Sequence, residues 1–320
     1  NFTVGTLVNN NLLQIEGSQG TQSITTMDTD SGQVEYDGGA GGTVGIGSFY
    51  DLLIDGAGTF SVGSAIAVTR NLELAGGTLD VTAGNNYGIT LGGTWTNSGG
   101  VFAEQAGEVE FDGAGGATAG GAETYYDLRV SGTLTLGRAL DVSNNVVIEG
   151  TGTLDASVGP HNIDVGGSWT NSGTYTSGTN LVTFDGTAGP LDITSGGTAA
   201  GQDFYDVTVA GGAAVRFRLQ SNTLITNDLT VSSGILDTLG NDLTISGTTA
   251  QIDGTLDFSN SLAVDVLDVN AVLDVNGSLL AGVGTIQADQ NVDFAGGAFT
   301  KGSGTFEFDG TATRDLTTNS

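Results

Sequence analysis

Cysteine is absent from the 320 residues, so no disulfide, thiolate metal site or cysteine nucleophile exists. Proline occurs twice, and the 55 glycines follow no every-third-residue pattern, which excludes a collagen-like helix. Basic residues are almost missing. Six Arg and a single Lys, Lys301, stand against 36 acidic residues, for a formal net charge of −29. Nucleic acid and anionic lipid surfaces are recognised by clustered Lys and Arg, so both are excluded as partners. No apolar run is long enough for a membrane-spanning helix. The chain opens at Asn1-Phe2 with neither Met nor a signal-type apolar stretch, so a processed or excerpted part of a longer precursor is expected. What is present is a 38% hydrophobic share rich in Val, Leu, Ile and Phe, enough for a thin, long core.

Three phrases recur in fixed order, about 75 residues apart. The first is an aromatic-Asp-Gly, in VEYDG (34–38), VEFDG (109–113), VTFDG (182–186) and FEFDG (306–310). The second is an aromatic pair before Asp, in FYDLLI (49–54), YYDLRV (125–130) and FYDVTV (204–209). The third holds both tryptophans, GGTWTNSGG (92–100) and GGSWTNSGT (166–174). A phrase repeated this way is a structural word rather than a site. Its marker positions are Trp95, Trp169, Phe111, Phe184, Phe308, Tyr50, Tyr126 and Tyr205. The units run over about 34–108, 109–181 and 182–305, the last with extra coils, and partial units occupy 1–33 and 306–320. The tandem VLDVNA-VLDVNG (266–277) lies in the long unit and reads as two successive strand-plus-corner segments.

Inside each unit runs a shorter beat. Segments centred near Leu52, Leu72, Leu91, Val109 and Leu128 alternate apolar and polar residues, the period-two mark of strands. GG, NN, NS and DG pairs between them are expected to supply positive-φ corners. No helical periodicity appears. Short strands at a beat of about 18–22 residues, nested in a longer period, fit a β-solenoid better than a sandwich or propeller. The expectation is one continuous all-β solenoid over residues 1–320, a parallel β-helix of right-handed sense with almost no helix.

Taken together, the ordered W-T-N-S-G, aromatic-Asp-Gly and F-Y-D-[LV]-x-[VI] phrases over about 34–310 resemble repeats of large secreted bacterial β-helical surface proteins. These are adhesin-type or filament-forming, in the style of autotransporter passenger domains. The resemblance implies export to the cell surface and a structural or adhesive role, and it carries over no catalytic residues.

The two ends read as parts of one unit. FEFDGTATRDLTTNS begins a unit, and NFTV matches YDLRV and YDVTV in position, with no capping segment at either end. The rod is therefore expected to continue, covalently or by stacking of copies, with Asn1, Phe2, Leu316 and Ser320 at the joint.

Chemistry is sparse. The single His161 stands in a Gly-Pro corner, and the repeated Asp residues (Asp37, Asp112, Asp185, Asp309; Asp51, Asp127, Asp206) read as bonding to turn N–H groups. No enzyme and no cofactor are expected. Calcium has one candidate, Asp28 and Asp30 in Asp28-Thr-Asp-Ser-Gly32, with Glu35 and Asp37 following, although Gly32 stands where a calcium loop needs a further acid. Ice binding needs a repeated Thr-x-Thr face, and TLT (133–135) stands alone. Tyr87, Tyr125 and Tyr175 either stack inside or face outward to bind sugar. Asn1-Phe-Thr and Asn276-Gly-Ser are glycosylation sequons. The sequence thus points to an extracellular stalk or filament segment that associates with itself, with an adhesin for glycan or a host or abiotic surface as the alternative.

Overall fold

The structure is a computed structural model that describes residues 2–18 and 22–318. All strands are parallel and stack as a β-solenoid of about 16 turns, with 50% of residues in strands and no helix among the described residues. The chain forms two compact units, residues 1–143 with 147–161, and residues 144–146 with 162–320.

In the first unit three strands make a turn. Asp51–Ile54, Thr59–Val62 and Ile66–Val68 are followed by Leu72–Leu74, Thr78–Asp80 and Ile89–Leu91, and then by Thr94–Asn97, Val101–Ala103 and Glu108–Phe111. Each strand pairs with its successor one turn on: Leu52 with Leu72 and Leu72 with Trp95, Phe60 with Leu79, Val68 with Leu91. These offsets of about 20 residues are the beat read in the sequence. Because side chains alternate across a strand, Leu72 and Leu74 are sealed inside while Glu73 between them reaches the surface. The ladder from Gly42–Val44 ends at Val101–Ala103, and the short Thr124–Tyr125 opens a new one with Leu140–Val142.

In the second unit three ladders run in parallel. One holds Leu181–Phe184, Asp206–Ala210, Leu229–Ser233, Thr249–Ile252, Val272–Val275, Val292–Phe294 and Leu316–Thr318. Another runs from Trp169–Asn171 through Leu191–Thr194, Arg216–Leu219, Ile235–Asp237, Thr255–Phe258 and Ser278–Ala281 to Ala298–Thr300. The third begins at Thr223–Ile225 and ends at Thr305–Phe308. The tandem VLDVN segments are the strands Val266–Val269 and Val272–Val275, on two successive ladders.

The corners correct one expectation. Glycines such as Gly77 (φ 58°) and Gly120 (φ 82°) do take the left-handed conformation, but the Gly of aromatic-Asp-Gly does not. At Gly113 a Cβ would lie 1.8 Å from the Gly92 carbonyl oxygen, and at Gly38 1.6 Å from that of Glu16. These corners need Gly because one coil's backbone rests directly on the coil before it, with no room for any side chain.

A candidate self-association site

The repeated phrases turn out to be each other's partners. Gln33–Tyr36 pairs with Asp51–Ile54, Glu108–Phe111 with Asp127–Val130, and Leu181–Phe184 with Asp206–Val209 of the following strand. In each case the inward Val is covered by Leu or Val, and the inward aromatic by Ile or Val. Tyr36, Phe111 and Phe184 are consequently 0% exposed. Of each aromatic pair the first member is buried (Phe49, Tyr125, Phe204), whereas Tyr50, Tyr126 and Tyr205 are half-buried. Arg70 covers the Tyr50 ring, 4.8 Å from its centroid.

Around the tryptophans the same packing is built twice. Trp95 meets Phe102 and Tyr125 edge-on, with ring centroids 4.8 and 5.4 Å away. Trp169 meets Tyr175 at 5.0 Å and Phe204 at 5.5 Å. Tyr125 and Tyr175 are therefore core residues, which removes them as outward sugar platforms, and Tyr87 is half-buried. The Asn two residues after each Trp is the part the sequence reading missed. Asn97 and Asn171 are buried, and their Oδ1 atoms accept from the Gly99 and Gly173 N–H groups at 2.9 and 3.0 Å, closing the corner.

Charge is organised along the coil. Asp51 accepts from the Asn71 N–H (3.0 Å) and Asp206 from the Asp228 N–H (2.9 Å), each one turn on. At these two positions the repeated Asp does bond to a backbone N–H, but to one in the next coil. Asp37, Asp112, Asp185 and Asp309 are exposed, and Asp127 is half-buried. The six arginines join stacked carboxylates or polar groups. Arg70 binds Asp51, Arg129 bridges Glu108 and Glu149, Arg218 binds Asp192, and Arg314 reaches Asp289. Arg216 holds both Asp237 and Asp257 at 2.6 Å. Arg138 donates to the Tyr125 hydroxyl (3.1 Å) and the Ala119 carbonyl (3.2 Å).

Where the ladder ending at Val101–Ala103 breaks, Glu123 is buried and accepts from Asn97. Burial pushes its carboxyl above the usual range, against the opposing pull of Asn97 and Arg138. Burial acts on Asp257 in the same sense, but hydrogen bonds from Arg216 and Ser259 outweigh it and hold the carboxyl below the usual range.

At the calcium candidate the polar side chains bond within the corner. Asp28 Oδ1 accepts from the Asp30 N–H at 3.0 Å, and the Ser31 hydroxyl donates to Asp30 Oδ1 at 3.1 Å. Among the described residues no group of three or more His, Cys, Asp or Glu side chains is placed to hold a metal ion. His161 closes a turn through its N–H to the Gly159 carbonyl, 2.8 Å away.

Two apolar hollows lie beside ladder-edge strands. In the second unit Phe294, Phe299, Phe306, Phe308 and Leu316 line an apolar hollow of about 490 Å³. Their rings touch in sequence, Phe294 to Phe299 at 5.2 Å, Phe299 to Phe306 at 5.9 Å and Phe306 to Phe308 at 5.5 Å. Phe308 is 43% exposed there, although its three counterparts are sealed. Among the described residues Ala298–Thr300, Thr305–Phe308 and Leu316–Thr318 are each the last strand of their ladder, with one edge unpaired. In the first unit Phe2, Val4, Leu7, Leu13 and Ile15 line a second apolar hollow of about 380 Å³ beside the ladder-edge strands Phe2–Leu7 and Leu12–Ile15. Of the expected joint residues, Phe2 and Leu316 line these hollows, while Asn1 and Ser320 lie outside the described residues. Comparison with protein-family models, with curated proteins and with solved structures gives no match.

Proposed function

We propose that this chain is a structural element of an extracellular stalk or filament, joined end to end by β-strand stacking. One observation carries the reading. Each repeated aromatic, Tyr36, Phe111 and Phe184, is sealed by an Ile or Val of the strand one coil on, so coil-on-coil stacking is what covers the core. Exposed parallel edges over an apolar core are templates for another strand, and natural folds ordinarily cap them. Adding a coil there satisfies main-chain groups and removes aromatic surface from water in one step. The acidic sides, at a net charge of −29, oppose lateral clumping and leave the ends as the favoured contacts. Electron microscopy and sedimentation over a range of concentrations test this. Fibres or oligomers that lengthen with concentration are expected, and a strictly monomeric chain rejects the proposal.

A second reading, adhesion to a host or abiotic surface, is favoured by one feature of the second unit. Leu239, Leu262, Val264 and Val283 stand at the corners of consecutive coils and are 37%, 63%, 80% and 47% exposed. Contiguous exposed apolar corners suit a contact surface. Surface-retention or glycan-array binding that survives loss of end-to-end assembly, and disappears with Leu262→Ser and Val264→Ser, selects this reading.

A further inference from the structure

We infer that the exposed apolar corner of the second unit binds an extended, uncharged apolar surface, and neither a glycan nor a second copy of the chain; this rests on the adhesion reading and names its ligand class. The corner joins the ladder ending at Ala298–Thr300 to the ladder ending at Thr305–Phe308. On three consecutive coils it spans residues 238–242, 259–265 and 282–284. Leu239, Leu262, Val264 and Val283 stand exposed there, with Ala263 beside them. The same corner carries Gln220–Asn222 one coil earlier and the exposed Lys301 one coil later, so the apolar row is confined to these three coils.

The row is pinned from beneath. Asp265, 8% exposed, accepts from the Leu262 N–H, and Ser261, 4% exposed, accepts from the Gly284 N–H of the next coil at 3.0 Å. Leu239 takes the left-handed conformation (φ 51°), which disfavours a bulky side chain, and the Asp237 carboxylate accepts from its N–H at 2.9 Å. Backbone strain and buried anchors that display aliphatic side chains point to a contact surface. Shape and chemistry then select the occupant. A corner is convex, so it rests on a flat phase but cannot enclose a small ligand, which needs a concave site. No residue in the three spans is aromatic, so a sugar ring has no face to stack on, and the exposed ones carry no charge. Four side chains fall well short of the roughly 800 Å² and 20–30 residues a side of a stable protein complex. A second copy also brings a further −29 of like charge. An uncharged apolar phase meets neither obstacle, and many copies can hold it through individually weak contacts.

Retention of the whole chain on methyl-terminated, hydroxyl-terminated and glycan-coated surfaces tests this. The parent should be retained on the methyl-terminated surface alone. Leu262→Ser/Val264→Ser should lower that retention about tenfold or more, because two aliphatic contacts are lost. The control Val8→Ser/Val158→Ser removes two valines of the first unit that are 65% and 66% exposed, and should leave retention unchanged. All four side chains are exposed, and equal thermal midpoints verify that both variants keep the fold. An equal loss from the control overturns the inference, as do dimers in sedimentation that vanish with Leu262→Ser/Val264→Ser. Retention on glycan that is lost with that same variant overturns the apolar class and leaves the adhesion reading standing. No retention on any of the three surfaces overturns both.

Discussion

At the residue scale, two kinds of position limit what the sequence tolerates. Trp95 and Trp169 are among the largest fully buried side chains, and neither indole N–H has a hydrogen-bond partner within the protein. Their contribution is therefore packing. Trp95→Phe should cost less than about 2 kcal/mol, while Trp95→Ala should cost about 3–5 kcal/mol, read from urea midpoints. Gly113 is fixed by proximity instead, so Gly113→Ala should lower the midpoint markedly. Gly115→Ala, where a Cβ meets nothing within 4 Å, should not. The Trp phrase was legible as a structural word from its repetition, and the glycine of aromatic-Asp-Gly as a corner. The reason for that glycine was not legible, because the clashing carbonyl belongs to a coil about 20 residues earlier.

Titration belongs to the same scale, and two acids pull in opposite directions. Glu123 has a folded pKa above its unfolded value, so the native state holds that proton more tightly. Its effect on stability is favourable below the ordinary carboxylate pKa and is lost as pH rises from there through the raised value. Asp257 has a depressed folded pKa, so its contribution is present above the ordinary value and is lost as pH falls through the depressed one. Glu123→Gln keeps an acceptor for Asn97 and should remove the stability loss on the way up. Asp257→Asn should flatten the acid side. Denaturant midpoints from about pH 3 to pH 7 separate the two.

At the element scale, strands are held along the coil by arginines that each serve more than one turn. Arg216 is the clearest case, since Asp237 and Asp257 face each other in register and their side chains are 2% and 5% exposed. Two stacked carboxylates out of water repel unless a cation joins them. Arg216→Met should therefore cost about 3 kcal/mol near neutral pH and recover part of that as acid protonates the pair. Thermal unfolding at two pH values tests this, and a pH-independent loss would assign the effect to packing alone. Alternation of apolar and polar residues disclosed most strands before the fold was known. It did not disclose which carboxylate each Arg meets, because partners lie 19 to 41 positions apart.

At the scale of the whole molecule, the net charge of −29 would set the conditions for the proposed assembly. Under the proposed end-to-end association, copies would repel through their sides while attracting at their ends. Raising ionic strength from about 10 mM to 150 mM shortens the screening length from about 30 Å to about 8 Å. Assembly followed by sedimentation should strengthen over that range and then level off, because the apolar joint is insensitive to further screening. Weakening with salt would instead identify ionic contacts as the main attraction.

By itself the sequence determined the all-β class, the lack of helix, the beat of the coil and the identity of the repeated words, because each follows from local alternation and corner chemistry. Only the tertiary structure decided which word rests on which. It also decided that Tyr125 and Tyr175 point inward and that Glu123 is buried where a ladder breaks. Those outcomes depend on stacking across a turn, where contact is made between residues that the chain keeps far apart.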